Sequence, residues 1–295
     1  MRISTAGMNS QMISQALKVQ SSYTEALTQQ SSGVKSASLS GLDGNAGAAA
    51  GLTADIARSE HLSTMAESAS SELELAYSSV GSIADLVQNM LTDITAAISG
   101  SSDDTTLSTL QSGAAADFTN TVSLLNTKYA DTYIFAGGAT ATKPVDATAY
   151  DSADPTAYYQ GSSSTRSVML DGGASISFGV TADDDAFSDV LQALDMIANA
   201  ATLDTATLQS AHDLLSGAVT ALGTMQEKLS SQTDKLDAVV DAQTDFQLYA
   251  GEMRDSLTTV DVATASAEAA QREVLLEASF SALSSLKSIS VLNYL

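Results

Sequence analysis

Apolar side chains recur along two stretches of this chain at the spacing of a helical seam. The N-terminal series runs Leu62, Ala66, Ala69, Leu73, Ala76, Val80, Ile83, Val87, Met90, Ile94 and Ala97, with steps alternating between three and four residues. That alternation is the heptad pattern in which one stripe of a helix meets a partner, so it predicts a long helix in a coiled-coil-like bundle. Gly100, Ser101 and Ser102 end it, and Asp103 and Asp104 suit the start of another helix, where carboxylates accept from free backbone N–H groups. Leu107, Leu110, Ala114, Phe118, Val122, Leu125 and Tyr129 form the apolar face of that second helix. The C-terminal series keeps the same rhythm for longer: Leu208, Ala211, Leu215, Ala218, Leu222, Met225, Leu229, Gln232, Leu236, Val239, Gln243, Phe246, Ala250, Met253, Leu257 and Val260. Only its two glutamines are polar. At 1.5 Å rise per residue this helix would be roughly 80 Å long. A rod of that length cannot cover its seam alone and requires the N-terminal helices antiparallel beside it.

The middle of the chain has another period. Val168 and Leu170 alternate with polar residues, as do Ile176, Phe178 and Val180, and Asp171-Gly172-Gly173 separates the two runs. This predicts a β-hairpin with a glycine-containing turn. Asp183, Asp184 and Asp185 then precede the apolar face Phe187, Val190, Leu191, Leu194 and Ile197, which restarts helix. The extreme ends carry weaker amphipathic stripes, Met8, Met12, Ala16, Val19, Tyr23, Leu27 at one and Leu275, Leu276, Phe280, Leu283, Leu286, Ile289 at the other. Ser36 to Ala50, rich in Ser, Gly and Ala, reads as flexible, so the ends are expected to gain order on assembly. The fold expected is mainly α: an elongated antiparallel coiled-coil-like helical bundle from both termini with a small inserted β-containing domain. Residues 1–50 make an N-terminal assembly helix and flexible segment that pairs with a C-terminal assembly helix at 262–295. Residues 51–130 and 187–261 are the two halves of the bundle, and 131–186 is the insert.

Composition sharpens this. The chain has 295 residues, is 44% hydrophobic but 5% aromatic, and holds no Trp. Small aliphatic side chains of this kind build thin helix–helix seams. Eight of the fifteen aromatics lie between Tyr129 and Phe187, together with both prolines, Pro144 and Pro155, which marks the insert as a separate module. Proline breaks helix interiors, so both flanks are free to be helical. There is no Cys, which excludes disulfides, thiolate catalysis and Cys-ligated zinc. The 12 Lys and Arg against 35 Asp and Glu give a net charge of −23. Neither nucleic acid nor an anionic membrane surface is an expected partner for such a chain. No apolar run approaches the length of a transmembrane helix, and Met1-Arg2-Ile3-Ser4-Thr5 lacks the basic flank and apolar core of a cleaved signal peptide.

Candidate chemistry is sparse. His61 and His212 belong to no metal-binding spacing. Asp183-Asp184-Asp185 does not follow a calcium loop and reads as a helix N-terminal cluster, as does Asp103-Asp104. No nucleophile elbow, phosphate-binding loop or dinucleotide fingerprint occurs. Catalytic, metal and cofactor residues are therefore expected to be none.

Some segments resemble a known family. Helices at both ends around a β-containing middle resemble the flagellin superfamily. Met1-Arg2-Ile3-Ser4-Thr5 is similar to the opening of its hook–filament junction subfamily, the hook-associated protein 3 group. Tyr133-Ile134-Phe135-Ala136-Gly137-Gly138, just after the second long helix, matches that subfamily's motif, and the region from Gly161 through the hairpin to Phe187 is similar to its middle domain. Ser256 to Ala265 resembles the bend before the terminal flagellin helix, and Leu275 to Phe280 and Val291-Leu292-Asn293-Tyr294-Leu295 resemble the flagellin end. Ser31-Ser32-Gly33-Val34-Lys35 keeps the family's Ser-Gly turn, whereas Leu39 to Gly51 lacks the paired Asp and the Pro often found there. The resemblance implies a structural subunit of the bacterial flagellum that forms a ring joining hook to filament and templates flagellin. It implies export through the flagellar type III channel without a cleaved signal peptide. Implied partners are further copies of the chain, an adjacent hook-associated protein, flagellin and an export chaperone. Ile3, Met8, Met12, Leu283, Leu286, Leu292 and Leu295 are the candidate assembly contacts. Flagellin itself and a ligand-binding module on a helical stalk are the alternatives.

Overall fold

The computed structural model describes residues 5–100, 103–152, 154 and 156–288. Its elements in chain order are α1 (Thr5–Ser32), a 3-10 turn at Leu39–Asn45, α2 (Ala46–Ser99), α3 (Asp104–Leu125), β1 (Lys128–Tyr129), β2 (Thr132–Tyr133), β3 (Arg166–Met169), β4 (Ser175–Phe178), α4 (Asp185–Ala198), α5 (Thr205–Thr258) and α6 (Val262–Ser288). The chain divides into two compact units. One, the terminal unit, comprises Met1–Glu60 and Asp245–Leu295; the other, the central unit, is His61–Thr244. Ala46 to Ala50, read from composition as flexible, belong to the first turn of α2, because alanine is the best helix former.

The helix starts follow the acidic residues. Asp103 caps α3, its carboxylate accepting from the Thr106 amide at 2.9 Å. Asp184 caps α4 through the Ala186 amide at 3.1 Å. Asp204 does the same for α5 through Thr207 at 2.8 Å, and Asp261 for α6 through Ala263 at 2.9 Å. A side-chain acceptor at this position satisfies an amide that the helix itself leaves free. Part of the chain's acidic excess is thus local helix chemistry.

In the central unit the predicted α2 seam is buried throughout, from Leu62 to Ala97. It joins the face of α3, the inner face of α4 and the α5 seam from Leu208 to Leu236 in one continuous core. Two contacts fix the α2–α5 pairing. Ser70 donates to Asp237 Oδ1 at 2.9 Å, and a Cβ on Gly81 would sit 3.0 Å from Gln226 Nε2. Going up α2 from one to the other means going down α5 by the same number of residues, so the helices run antiparallel in steady register. Small residues such as Ala66, Ala69, Ala76 and Ser79 on α2 accompany leucines on α5 in this core, the close-packed geometry that coiled-coil packing favours. Within the terminal unit Gln247 of α5 donates to Ser59 Oγ of α2 at 3.1 Å.

The insert holds two antiparallel two-stranded sheets, β1–β2 and β3–β4. In the second, Arg166 faces Phe178 and Val168 faces Ile176, as the alternating pattern requires. Its turn uses Gly172 and Gly173 at φ of 82° and 84°, where a side chain would be strained. The aromatic residues concentrated here join the insert to the core of the bundle. Phe118 of α3 meets Tyr150 edge-on at 5.4 Å, Tyr150 stacks on Tyr158 at 6.3 Å, and Phe135 meets Phe187 edge-on at 5.8 Å. Tyr158 is fully buried and donates to the Ala182 carbonyl at 2.7 Å.

Candidate assembly surface

Within the terminal unit α1 and α6 pack on each other through little bulk. Among the described residues, the buried apolar side chains of the pair are alanines: Ala16 and Ala26 on α1, Ala265 and Ala269 on α6. Alanine lets the backbones approach but leaves the larger side chains outside. Arg272 adds a polar staple, donating to the Ser22 carbonyl at 2.8 Å and to Glu268 at 3.0 Å. Both helices are formed and paired in the single chain, whereas the sequence suggested ends that order on assembly; the alanine seam and this staple supply intrachain contacts that composition alone does not reveal.

Thirteen of the sixteen large apolar side chains that are exposed among the described residues lie in the terminal unit; the central unit has only Met65, Tyr77 and Met169. Ile13 and Leu17 project from α1, and Val274, Leu275 and Phe280 from α6. On α5 the sequence predicted a seam buried as far as Val260. In the terminal unit Phe246 and Met253 are instead exposed, beside Leu248 and Tyr249 at 65% and 60% exposure; Ala250 is buried, and Leu257 and Val260 are half-buried. Periodicity marks a face as apolar; it does not supply the helix that covers it. Charge divides the same way. The terminal unit has 7 Lys and Arg against 11 Asp and Glu, a net of −4, while the central unit has 5 against 24, a net of −19.

Of the candidate assembly residues, Met8 is exposed and Met12 and Leu283 are half-buried. Leu286 lies on the backbone of α6. Ile3, Leu292 and Leu295 lie outside the described residues, as do Ser101 and Ser102. Ile13 and Leu17 were missed because they fall off the single stripe traced along α1. Phe246 and Met253 were missed because they fit an uninterrupted seam.

A second feature joins two turns that the sequence singled out separately. After α1, Gly33 turns the chain at φ 71°. Its carbonyl accepts from the Val260 amide at 2.9 Å, and the Lys35 amide donates to the Thr258 carbonyl at 2.7 Å. The Lys35 ammonium donates to the carbonyls of Ser256 and Leu257, each at 2.9 Å. These are the last carbonyls of α5, which carry the negative end of its dipole, and a cation there is favourable. Gln29 closes the clasp by donating to the Lys35 carbonyl at 2.8 Å.

The motif Tyr133 to Gly138 lies at the centre of the insert. Ile134, Phe135 and Ala136 are buried. The Phe135 carbonyl accepts from Ala182 at 3.0 Å, the Ala136 carbonyl from Ser162 at 3.0 Å, and the Gly138 amide donates to Ser164 at 2.8 Å. Gly137 adopts φ 58°, and a Cβ there would lie 2.7 Å from the Ser164 carbonyl oxygen and closer still to that of Ser162. The Tyr133 amide donates to the Thr140 carbonyl at 2.9 Å, and the Tyr133 ring lies under the Lys128 ammonium at 4.4 Å. The motif is spelled as it is because a buried turn segment passes between two other segments with room for backbone only at Gly137.

Two side chains missed in the sequence tie the insert to the bundle. Gln232, the polar break in the α5 seam, accepts from the Gly179 amide at 2.9 Å. Arg166 on β3 pairs with Glu72 on α2, whose side chain is 8% exposed, and lies 4.9 Å above the Phe178 ring. Burial lowers the pKa of the Arg166 guanidinium from its usual value. Among the described residues no group of three or more His, Cys, Asp or Glu could hold a metal ion. His61 is exposed, and His212 Nδ1 lies 3.7 Å from Asp213 Oδ1. No described helix is long and apolar enough to cross a membrane.

The arrangement is that of a helical structural subunit, with paired terminal helices and a small insert. Residues 3–140 match the family model for the bacterial flagellin N-terminal helical region, and residues 205–295 match that for the bacterial flagellin C-terminal helical region. The chain belongs to the flagellin family and is a structural flagellar component, not an enzyme. Among solved structures it is similar to a putative flagellar hook-associated protein from Vibrio parahaemolyticus, at 17% identity and a TM-score of 0.48, covering 74% of this chain and 95% of that one. It is also similar to FlgL of Bacillus cereus, at 16% identity and a TM-score of 0.39 over 70% of this chain and 91% of that one. FlgL of Xanthomonas campestris has 13% identity and a TM-score of 0.39 over 78% and 98%. No curated protein matches with significance.

Proposed function

We propose that this chain is the hook-associated subunit of the hook–filament junction, forming a ring on the hook and presenting the first template on which flagellin grows. The observation that carries the reading is the exposed apolar surface of the terminal unit. Its helices α1 and α6 meet through alanines, so each keeps an apolar face for a neighbouring copy. Burying such surface is worth about 25 cal/mol per Å², so many weak repeated contacts give a strong ring. The junction motif Tyr133 to Gly138 supports the junction over flagellin. The partners in this reading are further copies of the chain, an adjacent hook-associated protein, flagellin, and a chaperone that covers the terminal helices before export. Export runs through the flagellar type III channel, and the chain ends outside the cell.

A strain lacking the chain tests this. Bare hooks seen by electron microscopy, with intact flagellin subunits in the medium, are the expected result, since flagellin is then made and exported without a place to grow. Loss of the flagellin pool itself would make the chain the filament subunit. Normal filaments and swimming would overturn the junction reading.

A further inference from the structure

The chain contains two Asp-Gly steps, Asp43-Gly44 and Asp171-Gly172, and their backbones differ. Asp43 holds φ 48° and ψ −126° inside the 3-10 turn before α2. Asp171 is helical, and the break there falls on Gly172 at φ 82° and ψ 5°. A positive φ with a strongly negative ψ is the first central position of a type II′ turn, which glycine ordinarily fills; an aspartate there is strained.

The ψ value has a chemical consequence. Seen down the Cα–C bond, Cβ stands roughly a third of a turn from the backbone nitrogen of the same residue. A ψ of −126° therefore turns the Gly44 nitrogen until it nearly eclipses Cβ of Asp43. That eclipsed arrangement is the torsion found inside a five-membered cyclic imide made of the Asp43 carbonyl carbon, Cα, Cβ and Cγ and the Gly44 nitrogen. At a helical ψ the nitrogen swings well away from Cβ. Asp43 and Gly44 are exposed, and a Cβ on Gly44 would meet nothing within 4 Å, so water reaches the site and no side chain shields it.

We propose that Asp43-Gly44 is a site of spontaneous succinimide formation and isoaspartate conversion, preset by the folded backbone. The Gly44 nitrogen attacks Cγ of the protonated Asp43 carboxyl group. The new N–Cγ bond forms, the Cγ–OH bond breaks, and water leaves with the hydroxyl and the amide proton. Water then adds to one of the two imide carbonyls. Addition at Cγ restores aspartate; addition at the original main-chain carbonyl yields isoaspartate, in which the backbone runs through Cβ and Cγ and is longer by one carbon. The Ala46 amide donates to the Asp43 carbonyl at the entrance to α2. In the isoaspartyl form that carbonyl becomes a free carboxylate outside the main chain, so the joint leading from the Lys35 clasp into α2 is rebuilt as the protein ages, with no change in net charge.

The test is to age the full-length chain in native buffer and in urea, then to digest it and measure both sites by mass spectrometry. The imide is read as loss of one water, and isoaspartate by electron-based fragmentation. In the native chain Asp43 is expected to convert about tenfold or more faster than Asp171, the scale a preset attack geometry supplies, and in urea the two rates converge. The Asp43→Glu variant, whose ring would have six members, loses the signal at this position. Equal native rates at the two sites, a faster reaction at Asp43 in urea than in the folded chain, or a signal that survives Asp43→Glu would each overturn the proposal.

Discussion

Arg166→Met is the perturbation that most directly tests how the insert is held to the bundle. The substitution keeps most of the aliphatic volume but removes the cation that forms an ion pair with Glu72. The two partners are not equally buried: the Glu72 side chain is 8% exposed and that of Arg166 23%. Arg166→Met therefore strands a carboxylate in a dry position, a change that costs about 3–5 kcal/mol. Glu72→Gln leaves a cation on the more exposed side chain of the pair, still resting on Phe178, so it should cost less, about 1–2 kcal/mol. Replacing both residues with methionine should recover most of the loss, because paired buried charges contribute little beyond a well-packed apolar contact. Urea unfolding of the full chain, followed by circular dichroism and by tyrosine emission in this Trp-free protein, reads all of these. Equal losses for the two single variants, or a double variant no more stable than Arg166→Met, would refute the reasoning.

Three further outcomes follow from the same kind of argument. Gly137→Ala puts a methyl group against the Ser162 and Ser164 carbonyls at a φ of 58° and should cost about 3 kcal/mol or more, whereas Gly172→Ala, at φ 82° with nothing within 4 Å, should cost only the left-handed backbone penalty of about 1–2 kcal/mol; similar losses in urea melts would contradict the packing described for the motif. Lys35→Met removes two hydrogen bonds from an ammonium to the end of α5 and should destabilise that clasp by about 1–2 kcal/mol, seen as faster hydrogen exchange at the Lys35 and Val260 amides; unchanged exchange there would dismiss the clasp. Burial, reinforced by nearby aspartates, raises the phenol pKa of Tyr158 above its usual 10.0 and moves those of Tyr150 and Tyr159 to about 12. Groups raised on folding stabilise below their unfolded value, so stability should fall as pH rises from 10, and Tyr158→Phe should flatten that decline; alkaline titrations with the same slope for both proteins would sink the assignment.

The seams were legible in the sequence because a three-four period is a local property that survives without knowledge of the partner. Leu62 to Ala97 and Leu208 to Leu236 are buried as their spacing requires. The Asp103 and Asp184 caps and the Gly172-Gly173 turn were legible for the same reason: each is decided within a few residues. What stayed hidden depends on distant segments. Gln232 looked like a flaw in a seam until Gly179 supplied the amide that needs it. Lys35 and Ser256 are more than two hundred residues apart, and nothing in either turn names the other. The pairing of Glu72 with Arg166 is of this kind too, since both residues look like ordinary surface charges in the sequence. For the candidate surface the limit is different. Phe246 and Met253 obey the period of the buried seam, yet they are exposed, because an apolar stripe states a need for cover and not its source.

The division of charge and apolar surface gives that need a direction. Copies of a chain carrying a net −19 on one unit repel each other there at separations up to about a Debye length, roughly 8 Å at physiological ionic strength. The terminal unit has a net of −4 and most of the exposed large apolar side chains among the described residues. Attraction by apolar burial acts at contact and scales with area, while repulsion acts at longer range and is screened by salt. Copies that meet through their terminal units gain the first; copies that meet through their central units gain little of it, since among the described residues that unit exposes only Met65, Tyr77 and Met169 as large apolar side chains. Under the junction proposal, the central unit's charge opposes contact between central units, and the terminal helices offer the apolar area that association would bury.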